Sequence, residues 1–333
     1  MAMLLFLLIA AFMALVAGIP DLKDPSAAPV KVTSPGQVTY FPPQNFQSLG
    51  SQKVQIQFGP FTVGNQSPGG VFALDLKDAT RPCSGSCYIY KHRVFLTYTN
   101  GQEAHINTGA KLQRSFISTT ARKDSVCTSQ NELAFLSANE RLPYDLGRNG
   151  TQKQGYLLPD ASMDVYAEIL NYNTVAEQYN LIMEWETINS TADFQHLTPY
   201  YLDSSGVCGP GLLTAPTNTT FDTTMPSPYT LPKSGFVSAV GGHLEDGGIT
   251  NTLTSNGATL CASQASYGGS AHYIDQNGTP RISSMGLCLD VGNQTAGDQW
   301  YVTGHYDLTQ HPAMPAGSNP APVVAAILVF MKH

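Results

Sequence analysis

Met163-Asp164-Val165-Tyr166-Ala167-Glu168-Ile169 places an apolar side chain at every second position, and that period decides the fold class. Residues two apart share a face of a strand, whereas a helix needs a period of 3.6. Val54-Gln55-Ile56-Gln57-Phe58 alternates in the same way. Leu181-Ile182-Met183-Glu184-Trp185 and Trp300-Tyr301-Val302-Thr303 are further strand candidates, rich in residues that suit a pleated surface. No long stretch carries a helical period; the best helical candidate, residues 129–141, offers only a turn or two. The apolar run from Pro322 to Met331 predicts a buried terminal strand.

The chain has 333 residues, which suits about two domains. Between Asp203 and Lys233 it is dense in Gly, Pro, Thr and Ser, the composition of a linker or a long excursion. The expectation is therefore an all-β chain of two antiparallel β-sandwich (jelly-roll-like) domains in tandem, at 51–204 and 235–333, joined by a linker at 205–234. Residues 19–50, rich in Pro, Ser and Lys, predict a loosely ordered N-terminal arm. Charged residues make up 12% of the chain and the net charge is -7, with no cluster of Lys and Arg. That balance excludes a nucleic-acid partner, since no patch could displace counterions from phosphates.

Met3 to Val16 form an almost unbroken apolar run ending at the small residues Ala17 and Gly18. This predicts a signal peptide over 1–18, although no Lys or Arg precedes the run. The run is shorter than the ~20 residues a span requires, so no stable membrane span is expected after cleavage. Six cysteines in an exported chain point to disulfides, and the pair favoured here is Cys261–Cys288. Glycosylation sequons stand at Asn65, Asn149, Asn189, Asn218, Asn277 and Asn293, those at Asn65 and Asn277 being weakened by a following Pro. Together these features predict a secreted, extracellular glycoprotein.

The chain has no Gly-x-Ser-x-Gly elbow, Walker loop, His-Glu-x-x-His or Cys-x-x-Cys pair. The most distinctive segment is Val240-Gly241-Gly242-His243-Leu244-Glu245-Asp246-Gly247-Gly248. On a strand His243 and Glu245 share a face, and an imidazole and a carboxylate so placed can bind one metal ion or form a hydrogen-bonded pair. Two donors alone do not define a metal site. His305 and His311 are the candidate third ligands.

From Ile56 to Phe330 the chain resembles the stress-up-regulated nodulin family of secreted proteins, which in turn resembles the copper type II, ascorbate-dependent monooxygenases such as peptidylglycine hydroxylase. The residues carrying the resemblance include Phe58-Gly59-Pro60, Tyr98-Thr99-Asn100-Gly101, Asn107-Thr108-Gly109-Ala110, Asn139-Glu140-Arg141, Gly155 to Asp160, Gly241-Gly242-His243-Leu244, Ile282-Ser283-Ser284-Met285 and Tyr306-Asp307. The resemblance implies two β-sandwich domains, each able to carry one copper. It also marks departures. Gln113 and Arg114 stand where the family has a His-His pair, Glu245 replaces the second histidine of His-Leu-His, and Val324 aligns with a methionine ligand, with Met314 and Met331 nearby. Arg cannot deprotonate to bind a metal, and copper redox chemistry relies on imidazole and thioether ligands. The expectation is a non-catalytic binding or surface protein with an extracellular ligand or protein partner. The alternative is a metal-dependent oxidoreductase using copper at a residual site of His243, Glu245 and His305.

Overall fold

The computed structural model describes residues 30–31, 35–65, 71–141, 143–190, 193–206, 208, 211–216, 219–316, 319–320 and 323–333. Within them the chain is all-β apart from three single-turn 3-10 helices, and its strands form two face-to-face sheet pairs and a separate two-stranded sheet of Pro315–Ala316 and Asn319–Pro320. The signal peptide at 1–18, most of the arm, and Asn218 lie outside the described residues.

In the first sandwich one sheet runs, in spatial order, Val30–Lys31, Phe72–Leu76, Met163–Asn171, Ala110–Lys123 and Asn131–Ser137. The opposing sheet runs Gln195–His196, Gln154–Leu158, Cys87–Tyr98, Glu177–Asn189, Gln52–Val63 and Gln37–Phe41. Val54, Ile56 and Phe58 point inward with Leu181, Met183 and Trp185, as the two-residue period requires. In the second sandwich Thr198–Asp203, Ala325–Lys332, Gly235–Leu244 and Leu287–Gln294 form one sheet. Thr220–Thr224, Gln299–Asp307, Gly248–Ser255, Ala258–Tyr267 and Ile282–Met285 form the other.

The terminal strand Ala325–Lys332 explains how the two sandwiches join. Ile327, Val329 and Met331 fill the second core, while Ala326, Leu328 and Phe330 belong to the first. The Phe330 ring lies 5.7 Å from Phe135 and 5.6 Å from Tyr144, centroid to centroid. A strand buried on both faces has no polar side to show, which is why its sequence is a continuous apolar run. Gly235–Leu244 lies beside it and is also covered on both faces. A Cβ at Gly241 would meet Tyr144 Cε1 of the first sandwich at 2.9 Å, and one at Gly242 would meet Ser263 Oγ of the second at 2.6 Å.

Several expected boundaries need correction. Residues 129–141 contain a fully buried strand, Asn131–Ser137, paired with Ala110–Lys123, and no helix. A short apolar run hidden on both faces loses the alternation that identifies a strand. Gln37–Phe41, within the expected arm, pairs with Gln52–Val63. Thr198–Asp203, assigned to the first domain, is an edge of the second sandwich through its pairing with Ala325–Lys332. The expected linker holds strands Thr220–Thr224 and Tyr229–Thr230, both paired with Gln299–Asp307. In each case an available sheet edge recruits a segment whose composition alone signals a loop.

Three disulfides join Cys83 to Cys87, Cys127 to Cys208 and Cys261 to Cys288, leaving no free cysteine among the described residues. No helix in the described residues is long and apolar enough to cross a membrane.

A buried ionic cluster between the sandwiches as candidate functional site

His243 sits near the end of Gly235–Leu244, on the face turned toward the first sandwich. The Asn251 side chain fixes this position from below: its amide donates to the carbonyls of His243 (3.1 Å) and Ala326 (2.7 Å). Opposite lies a turn after Asn131–Ser137, closed by the Arg141 amide donating to Ala138 O at 2.9 Å, which presents Glu140. His243 Nδ1 is 3.1 Å from Glu140 Oε1, and its Nε2 is 3.7 Å from Glu245 Oε1. The imidazole is buried, so desolvation disfavours its charge, but Glu140 and Glu245 outweigh this and raise its pKa to about 9.

Glu245 continues the cluster into the first sandwich. Its Oε1 is 3.4 Å from Arg114 Nη2 and its Oε2 is 3.6 Å from Lys111 Nζ. Lys111 also meets Asp246 Oδ2 at 3.3 Å, and the other Asp246 oxygen accepts the Ile282 amide at 3.0 Å. Arg114 Nε lies 2.8 Å from Glu168 Oε2, and Tyr166 donates its hydroxyl to Glu168 Oε1 at 2.7 Å. Burial alone would raise the Glu245 carboxyl; Lys111, His243 and Arg114 overcome that and hold it down at about 2. Burial opposes the charge on Lys111 as well, yet Asp246 and Glu245 raise its pKa.

Lys111 and Arg114 are three residues apart, and a regular strand would send them to opposite faces. The register slips between Glu168, which pairs with Arg114, and Ile169, which pairs with Leu112. Gln113 is thus an extra residue in a bulge, and the bulge returns Arg114 to the face that Lys111 occupies. Gln113 lines the same small pocket as His243, Glu140 and Glu245. Its Oε1 and His243 Nε2 are buried without a hydrogen-bond partner among the described residues.

The structure therefore brings His243, Glu245, Gln113 and Arg114 together. It does not bring His305. That residue stands on the outer face of Gln299–Asp307, 45% exposed, with Nδ1 2.6 Å from Asp222 Oδ1. Its neighbour Tyr306 occupies the inward face and is fully buried, so strand alternation turns His305 away from His243. His305 is corrected from third ligand to surface residue. Among the described residues, no group of three or more His, Cys, Asp or Glu side chains is arranged to hold a metal ion. Val324 is buried beside the strand Ala325–Lys332, its carbonyl accepting the Tyr306 hydroxyl at 2.6 Å. Met331 pairs opposite Val237, at the far end of the strand that carries His243. The sequon residues Asn65, Asn149, Asn189, Asn277 and Asn293 are exposed.

Glu140, Lys111, Glu168 and Asp246 take part without having been singled out as site residues from sequence. One signal marks them: each is a charged residue beside buried apolar positions in a chain with few charges.

No protein-family model matches the chain. It is similar to "Probable copper-dependent oxygenase M1" of Phoma sp., 25% identical over 293 residues, covering 86% of this chain and 74% of that protein. It is also similar to "Probable copper-dependent oxygenase clz3" of Cochliobolus lunatus, 27% identical over 241 residues, covering 71% of this chain and 76% of that one. The chain is thus a distant relative of proteins named copper-dependent oxygenases. Among solved structures, the PNGF-II crystal structure superposes with a TM-score of 0.43 at 12% identity, covering 84% of this chain and 66% of that one. A peptide-N(4)-(N-acetyl-β-D-glucosaminyl) asparagine amidase superposes at 0.39 and 10%, covering 84% and 96%. Nothing about the site follows from either superposition.

Proposed function

We propose that this chain is an exported relative of the copper-dependent oxygenases, on the stress-up-regulated nodulin pattern, that does not use copper and acts by binding an extracellular ligand or protein. The observation carrying this reading is the charge matching around His243. Its Nδ1 faces Glu140 at 3.1 Å, its Nε2 faces Glu245, and Glu245 is in turn matched to Lys111 and Arg114. Copper that cycles between oxidation states calls for imidazole and thioether donors. Among the described residues lining this pocket His243 is the one imidazole, and none carries a thioether. Two buried cations beside the carboxylate would repel an incoming metal ion. The donor set does not fit a copper centre.

The pattern is also self-consistent in charge. Relative to the family resemblance, an imidazole pair is replaced by Gln113 and Arg114 on one sandwich, and an imidazole by Glu245 on the other. Those two changes meet as an ion pair. Export is supported by three disulfides, which persist in oxidising compartments, and by the exposure of five sequon asparagines.

The names of the two relatives favour a second reading, an oxidoreductase with copper at a residual His243 site. One measurement separates them: metal content and ascorbate-dependent oxygen uptake of the purified, secreted chain after copper loading and gel filtration. The non-catalytic reading expects copper well below one per chain, unchanged in His243→Ala, and no oxygen uptake above buffer. Stoichiometric copper lost in His243→Ala, with ascorbate-driven oxygen consumption, would establish the oxidoreductase instead.

A further inference from the structure

A cleft of about 340 Å3 opens at one end of the first sandwich's larger sheet, sharing no residue with the His243 cluster. That volume falls at the lower end of the ~300–1,000 Å3 typical of small-molecule sites. Its walls carry hydroxyls from Tyr40, Ser84, Ser86 and Thr187 and amides from Gln52 and Asn189. Among the described residues, no charged side chain lines it. A neutral wall of mixed donors and acceptors suits an uncharged polyhydroxyl ligand and disfavours phosphates, carboxylates and amines.

One wall is rigid before any ligand arrives. The Cys83–Cys87 disulfide closes the loop that carries Ser84 and Ser86. Arg81 donates to Gly85 O at 2.7 Å and to Pro159 O at 2.6 Å, and Ser86 Oγ accepts the Asp160 amide at 3.0 Å. Little ordering is left to do on binding, which favours affinity. The opposite wall offers Tyr40, 66% exposed on an edge strand and therefore an aromatic face left to water. A pyranose ring, apolar on its C–H face and polar at its rim, matches that combination.

Asn189 lines this same cleft, is exposed, and begins the sequon Asn189-Ser190-Thr191. A sugar joined to its amide nitrogen starts its course at the wall. We propose that the cleft is an N-acetylhexosamine subsite filled in cis by the first sugar of a glycan on Asn189, which covers Tyr40 and bridges the Ser84 loop to the larger sheet. This assignment rests on the export reading above.

The test uses the full chain secreted from a eukaryotic host, with site occupancy read by mass spectrometry after enzymatic deglycosylation in heavy-oxygen water. Sugar on Asn189 is expected. Trimming the glycan to its first sugar leaves Tm unchanged, whereas removing that sugar lowers Tm by about 2–4 °C, the shift of ~1 kcal/mol in a domain of this size. Tyr40→Ala lowers Tm to a similar extent in the glycosylated protein and has little further effect in Asn189→Gln. Asn293→Gln, at an exposed position outside this cleft, leaves Tm unchanged. Sugar on Asn293 but none on Asn189 overturns the assignment while sparing export; no sugar on any sequon overturns both. A glycosylated Asn189 whose complete deglycosylation leaves Tm unaltered, or whose effect is fully additive with Tyr40→Ala, also overturns it. Binding of free diacetylchitobiose to a chain found unmodified at Asn189 reassigns the cleft to a soluble sugar.

Discussion

Arg114 of the first sandwich and Glu245 of the second meet at 3.4 Å inside the interface, both almost fully removed from solvent. A buried ion pair of this kind adds little net stability over a well-packed apolar pair, because both ions lose their hydration. Removing one partner is different, since the other is left charged and unmatched.

Glu245→Ala is therefore expected to destabilise the protein by about 3–5 kcal/mol, leaving Lys111 and Arg114 facing each other without their shared anion. Combining Glu245→Met with Arg114→Met should lose distinctly less than the sum of the single changes. Denaturant unfolding of the four proteins checks the coupling, and strict additivity would show that the pair does not hold the interface.

The pH dependence has two limbs. His243 has a folded pKa raised to about 9, so its contribution is fully present below the unfolded value near 6.5 and is lost as pH rises through 9. Glu245, held down at about 2, contributes fully above an unfolded value near 4.5 and loses its contribution as pH falls toward 2. His92 and His105, depressed to about 3 and about 4 mainly by burial, add to the acid limb, because the unfolded chain takes up protons below 6.5 that the fold resists. Unfolding free energy measured from pH 4 to 10 is expected to fall on both sides. In His243→Gln the loss between pH 6.5 and 9 should shrink while the acid limb remains.

Phe330→Ala removes a ring packed on Phe135 and Tyr144, and its expected cost is about 3–5 kcal/mol. The ring belongs to a strand shared by both cores, so the loss should also weaken communication between the sandwiches. Calorimetry should show a broadened or split transition, where an equivalent loss within one core lowers a single transition.

Gly241→Val tests the close approach itself. Its Cβ would start 2.9 Å from Tyr144, and overpacking at such a contact costs typically about 1–3 kcal/mol. Gly257→Ala makes a poor comparison because its φ of +83° adds backbone strain. Val175→Ala, at an exposed position, is the better control and should leave stability within about 0.5 kcal/mol, both read by denaturant midpoint.

Much of the architecture is legible in local pattern. The two-residue period of 163–169 and 54–58 states which side chains face inward, because a pleated strand has no other way to bury half of its residues. The Asp246-Gly247-Gly248 turn and the apolar run into it locate the strand that carries His243, and Glu245 follows on its face. Long-range association is another matter. The sequence could not say that residues 131–137 form a strand, since a run buried on both sides has no alternation to read. Nor could it say that a bulge at Gln113 turns Arg114 toward Glu245, or that Glu140 reaches His243 across a separation of 103 residues while His305 turns away. Side-chain type and period are local properties that the chain carries with it. Which charges share a desolvated space depends on how two sandwiches pack, and only that packing made four distant segments into one ionic cluster.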